Sequence, residues 1–161
     1  MDVLIAIGIV AGILAGVLIK VSASIHVLTW VAFVSWACFY AAGGKAKGLV
    51  TGIVGNVSGA IWGFLMVYTS QFLPFPDALP VTVGIGACLI CVVAKWKVLA
   101  FIPGAYAGCA AFFGTGGKLA PTVFSLVAGA LIGWCNEAGG IALSKIGHKT
   151  NVAEKEETAT Q

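Results

Sequence analysis

The sequence predicts an all-α integral membrane protein with six transmembrane helices arranged as two inverted three-helix repeats. Three observations lead there. Charged residues make up only 9% of the chain against 60% hydrophobic, and mean hydropathy is +1.03. A soluble domain carries about a quarter charged residues, so this chain cannot clothe a water-facing surface. Its apolar residues fall into six blocks, most near the length of about 17–25 residues that crosses a bilayer. Finally, FYAAGGKAKGLV at 39–50 is echoed 73 positions later by FFGTGGKLAPTV at 112–123.

The first helix is expected over 3–19. Asp2 is the only early charge, so the basic n-region of a signal peptide is missing. Gly8, Gly12 and Gly16 recur every four residues and therefore share one slowly drifting face. Small faces of this kind let helices approach closely in lipid, where no hydrophobic force drives them together. They would equally leave room for a narrow solute path.

The second helix is expected over 25–42, ending at Gly43-Gly44-Lys45, where glycines suit a left-handed cap. The third spans 47–72 and carries Gly48, Gly52, Gly55, Gly59 and Gly63. A linker at 73–80 holds Pro74, Pro76 and Pro80 and cannot continue a helix. The fourth and fifth, at 79–94 and 98–114, are short like the first, so they tilt little or sit partly inside a bundle. Phe101-Ile-Pro-Gly104 predicts a kink at Pro103 and Gly104. The sixth covers 118–145, with Pro121 tolerated in its first turn. Beyond it, 146–161 reads as a polar, frayed cytoplasmic tail. The halves are then 1–72 and 81–145.

Lysine placement tests the count. All nine basic residues are Lys. With both termini inside, Lys45, Lys47, Lys95, Lys97, Lys145, Lys149 and Lys155 face the cytoplasm, and only Lys20 and Lys118 face out. That is the asymmetry of the positive-inside rule. Without Arg, the usual fork for phosphate, the net charge of +3 gives no reason to expect nucleic acid.

The echo extends beyond the Gly-Gly-Lys turn. Ser58-Gly-Ala-Ile-Trp-Gly63 reappears as Ala128-Gly-Ala-Leu-Ile-Gly133, and Lys20 and Lys95 each close the first helix of a half. A repeat of three helices must enter the membrane from the opposite side, which inverts the halves. Inverted repeats are common in transporters, with the solute site near the midplane between them. Duplication that merely stabilises a bundle is the plainer reading.

Polar groups inside apolar segments are costly and point to function. Asn56, with Ser58 nearby, falls near mid-bilayer in the third helix; Asn136 and Glu137 lie in the cytoplasmic half of the sixth. Ser35, Tyr40 and Tyr106, together with Thr29 and Ser125, complete the set. Glu137 reads as a cation attractor or proton acceptor at an inner mouth, or as an interfacial partner of Lys145 or Lys97. Asn56 reads as pore-lining or as an interhelical hydrogen bond. Trp36, Phe39 and Tyr40 on the second helix, with Phe112 and Phe113 on the fifth, would form a hydrophobic constriction or pack in the core. His26 reads as interfacial.

Cys88-Leu-Ile-Cys91 has no polar surroundings and no nearby His, so buried packing is preferred to a metal or redox site. No cofactor or metal is expected. Without a nucleophile–base set, metal spacing or a phosphate-cradling loop, the chain is not expected to be an enzyme.

At FIPGAYAGCAAFFGTGG the chain resembles a family of small bacterial inner-membrane proteins, the domain of unknown function 1097 family. The glycine-rich first helix, the 101–104 segment and the SGAIWG block carry the resemblance, over about residues 3–145. It implies a bacterial inner-membrane location and brings no site residues. The leading expectation is a small-solute channel or facilitator, an all-helical homo-oligomer in the bilayer. Urea-like amides, ammonia, short alcohols and short organic acids are the solute classes. A proton-coupled transporter using Glu137, or an assembly protein without transport, are the alternatives.

Overall fold

The computed structural model describes the backbone of residues 1–159 and the side chains of 1–146, and all regular structure among them is helical. The helices are α1 (Val3–Val21), α2 (Thr29–Ala41), α3 (Lys45–Ser70), α4 (Ala78–Val93), α5 (Ile102–Gly114) and α6 (Leu119–Ala159). Three segments are long and apolar enough to cross a membrane: Val3–Val21, Lys45–Ser70 and Leu119–Ile146. The others have 13, 16 and 13 residues. At about 1.5 Å per residue they reach roughly 20–24 Å, short of the roughly 30 Å hydrocarbon core.

α3 and α6 form the centre. α5 lies along α3, α2 along α6, α4 on the outer side of α3 and α1 on the outer side of α6. Glycines set the spacing. A side chain on Gly59 would run into the carbonyl of Ala105, and one on Gly63 into the ring of Phe112, so α3 and α5 rise in parallel with backbones nearly touching. The same holds for α6 and α2, where Gly129 meets the carbonyl of Ala32 and Gly133 meets Phe39. In lipid such packing replaces the hydrophobic effect. Outward, Leu4, Ile13, Val50, Phe72 and Phe124 are exposed, a surface suited to hydrocarbon.

The two Gly-Gly-Lys turns have the same geometry. Gly44 N–H donates to Phe39 O at 3.1 Å and Gly43 N–H to Tyr40 O at 2.9 Å; Gly117 and Gly116 repeat this on Phe112 and Phe113, both at 3.0 Å. These are paired 6→1 and 5→2 bonds of a Schellman end. It needs a left-handed residue, and all four glycines have φ between 63° and 98°.

Several boundaries differ from the sequence expectation. α2 begins at Thr29 rather than 25, because His26 takes φ 54° and Leu28 is extended. The expected fifth helix breaks into a 3₁₀ turn (Lys97–Leu99) and α5, so Pro103 sits in the first turn of a new helix. Pro103 and Gly104 therefore start a helix and do not kink one; at that position the missing proline N–H has no intrahelical partner to lose. α4 begins at Ala78 and takes in Pro80 in the same way, inside the expected 73–80 linker. The backbone of α6 stays helical to Ala159 where a frayed tail was expected; Ala, Glu and Lys, good helix formers, recur there.

Candidate functional site

Buried polar side chains collect where the four central helices cross. Ser35 of α2 and Asn56 of α3 are fully buried, and Asn56 Nδ2 donates to Ser35 Oγ at 2.8 Å. Ser35 Oγ in turn donates to the carbonyl of Leu126 on α6 at 2.5 Å. On the fourth side, Gly108 of α5 packs so tightly on the carbonyl of Asn56 that a side chain there would overlap it. One bond is missing. Asn56 Oδ1 accepts no hydrogen bond among the described residues. The Cys38 thiol lies beside the Asn56 side chain, but a thiol is only a weak donor. A buried carbonyl oxygen left unpaired costs about 1–3 kcal/mol.

A second polar group lies nearly three turns along α6, at about 3.6 residues per turn. Asn136, 1% exposed, accepts from Tyr40 Oη at 2.5 Å and donates through Nδ2 to Ile7 O at 3.0 Å, joining α1, α2 and α6. Beside it, half-buried Glu137 accepts the backbone N–H of Lys45 through Oε2 at 2.6 Å. Its Oε1 stands where a side chain on Gly44 would go. The carboxylate thus caps α3, whose free N–H groups and dipole favour an anion. Sequence placed Glu137 with Lys145 or Lys97; the structure pairs it with the main chain at Lys45.

The other sequence candidates are spread out. Ser58 Oγ turns back to Gly55 O at 2.8 Å. Tyr106 is partly exposed and donates to Ala87 O at 3.1 Å, tying α5 to α4. Phe39 and Phe112 are buried, but each contacts its own neighbour, Tyr40 at 5.0 Å and Phe113 at 5.7 Å between ring centres. No ring contact among the described residues joins the two pairs, which lie at the two Gly-Gly-Lys turns. Trp36 stacks on Phe33 at 5.8 Å. Cys88 and Cys91 are free thiols on the exposed side of α4.

Sequence reasoning passed over Thr122 and Gly108. Thr122 is fully buried and pairs with Thr115 Oγ1 at 2.7 Å across the second turn. Their seven-residue spacing across a Gly-Gly turn was the available signal. Gly108 sits in a run of small residues, and nothing in such a run marks which member meets a carbonyl.

Membrane-length apolar helices, an apolar outer surface and polar groups turned inward define a helical membrane protein. The chain belongs to the family described as protein of unknown function (DUF1097), which it matches over residues 8–141. It is 32% identical over 158 residues to inner membrane protein YcdZ of Escherichia coli (strain K12), covering 97% of each chain. Its identity to uncharacterized protein YahC of the same strain is also 32%, over 74% of this chain and 76% of that one. The Salmonella typhimurium inner membrane protein YcdZ is 30% identical over 95% and 98%. No solved structure matches the chain.

Proposed function

We propose that the protein is an inner-membrane facilitator for a small neutral or weakly charged solute, made of six spans in two inverted halves that meet at Ser35 and Asn56. The observation that carries this reading is the pairwise equivalence of contacts between the halves. Gly59–Ala105 has its counterpart in Gly129–Ala32, and Gly63–Phe112 in Gly133–Phe39. Thr82 hydrogen-bonds the carbonyl of Met66, and Asn136, the counterpart of Met66, bonds that of Ile7. Exchanging α1 with α4, α2 with α5 and α3 with α6 maps these contacts onto one another. The parallel runs of α2 with α6 and of α3 with α5 fit alternate crossing in the order the lysines favour. Transporter folds of this kind place solute near the midplane between halves.

Ser35 and Asn56 occupy that place. An unpaired carbonyl oxygen favours a solute that donates a hydrogen bond, such as ammonia, a urea-like amide or a short alcohol, over a carboxylate that only accepts. The tight glycine packing there corresponds to a closed passage. Glu137, held on the start of α3, serves better as a structural cap than as a proton carrier. The outward face of Gly8, Gly12 and Gly16, with nothing within 4 Å, suits contact with another copy in a homo-oligomer.

The test is flux in proteoliposomes. Ammonia, urea, a short alcohol and a short organic acid are compared in wild type, Asn56→Leu and empty vesicles. Faster passage of at least one donor, lost in folded Asn56→Leu, is expected. If no solute crosses faster than in empty vesicles, the facilitator reading fails and an assembly role takes its place.

A further inference from the structure

At the end of the bundle that carries the second Gly-Gly-Lys turn, a cavity of about 460 Å³ opens between the α1–α2 loop and the start of α6. Its size falls in the range of about 300–1,000 Å³ usual for small-molecule sites. His26 and Lys118 are its ionisable lining residues, with the hydroxyls of Ser22 and Thr115 beside them. Among the described residues no carboxylate lines it. Val27, Leu28, Trp30 and Pro121 supply an apolar wall. We infer that this cavity binds a small oxyanion carried on an apolar group, a carboxylate or phosphate whose tail rests on Trp30.

The chemistry of the lining makes the case. Lys118 brings a full positive charge with three donors, and imidazole donates at least one N–H in either protonation state. Ser22 Oγ and Thr115 Oγ1 direct their protons to Ile19 O and Phe112 O, so the hydroxyls do not supply the charge that an anion needs. That task falls to Lys118 and His26. Both are exposed, and His26 stands at a left-handed backbone position with φ 54°. The other Gly-Gly-Lys turn shows what such a turn accepts, since Glu137 places its carboxylate on Gly44 and Lys45. Around Lys118 no such partner is found among the described residues: the position corresponding to Glu137 is Val67, which packs against the core cluster that holds Phe112 and Leu126. One turn holds its own carboxylate; the second faces a cavity without one.

The same chemistry fits a free carboxylate or an anionic lipid headgroup, and the experiment separates them. Purified protein is titrated calorimetrically with hexanoate and with hexanol, and native mass spectrometry compares retained phosphatidylglycerol with phosphatidylcholine. Wild type, Lys118→Gln and His26→Gln are measured beside Lys20→Gln, which removes a charge outside the lining. Hexanoate binding without hexanol binding, weakened about 10-fold in Lys118→Gln and unchanged in Lys20→Gln, supports a free-anion site. Preferential retention of phosphatidylglycerol that only the lining variants lose supports a lipid site. Equal hexanoate and hexanol binding with no lipid preference overturns the inference. So does an equal loss in Lys20→Gln, which would reduce the effect to general surface charge. Circular dichroism of each variant separates lost binding from lost folding.

Discussion

Glu137 Oε2 accepts the backbone N–H of Lys45 at 2.6 Å, so a carboxylate of α6 closes the first turn of α3. Hydrogen bonds to a charged acceptor contribute about 1.5–3 kcal/mol, and exposure lowers that. Glu137→Gln keeps the shape and loses the charge, and is expected to destabilise the fold by about 1 kcal/mol in detergent unfolding. Passive flux in proteoliposomes should survive. If proton-driven uptake exists and collapses in this variant while stability is unchanged, the capping role is wrong and the coupled reading stands.

Glycines divide into those that face a backbone and those that face open space. Gly59 and Gly129 each meet a carbonyl, of Ala105 and Ala32, which cannot step aside as a side chain can. Gly59→Ala and Gly129→Ala are expected to cost at least the roughly 1–3 kcal/mol of an overpacked core. Gly12→Ala, with nothing within 4 Å, should fold as well as wild type. Equal losses at all three positions in thermal unfolding would refute this division.

Tyr40 and Asn136 form a side-chain hydrogen bond between α2 and α6. Such bonds inside membranes contribute about 0.6 kcal/mol on average and up to about 1.7. A double-mutant cycle of Tyr40→Phe and Asn136→Ala is expected to show coupling of about 0.5–1.5 kcal/mol. Strict additivity would mean that each residue acts through other partners, Ile7 O in the case of Asn136.

What was legible in the sequence follows from the range of each force. Hydropathy summed over a helix length marks an apolar segment, and Gly-Gly marks a backbone that must turn left-handed, so the helix order and both Gly-Gly turns could be read directly. Proline position was misread at Pro103 because proline stops one helix and starts the next with the same residue. The partner of Glu137 was hidden for another reason. It is a main-chain N–H 92 residues away, and a main-chain group leaves no mark in composition. Asn56 was legible as an intramembrane polar residue, while its bond to Ser35 depends on how closely α2, α3 and α6 approach. Glycines that meet a carbonyl set that approach, and only the packed structure distinguishes them from the others.

The inverted arrangement we propose makes a prediction about sidedness that does not depend on any solute. Lys47, in the first turns of α3, and Ala120, in the first turn of α6, are both exposed and hold equivalent places after their Gly-Gly turns. In a variant with all five cysteines replaced, Lys47→Cys and Ala120→Cys are introduced singly and treated with a membrane-impermeant maleimide. Intact cells should label only Ala120→Cys, and inside-out vesicles only Lys47→Cys. The cysteine-free background should itself fold, because the chain's cysteines are free thiols. Labelling of both positions from the same side would place the two turns on one face of the membrane. The matching contacts of Gly59 and Gly129 would then reflect local packing, and the argument for a midplane solute site would lose its basis.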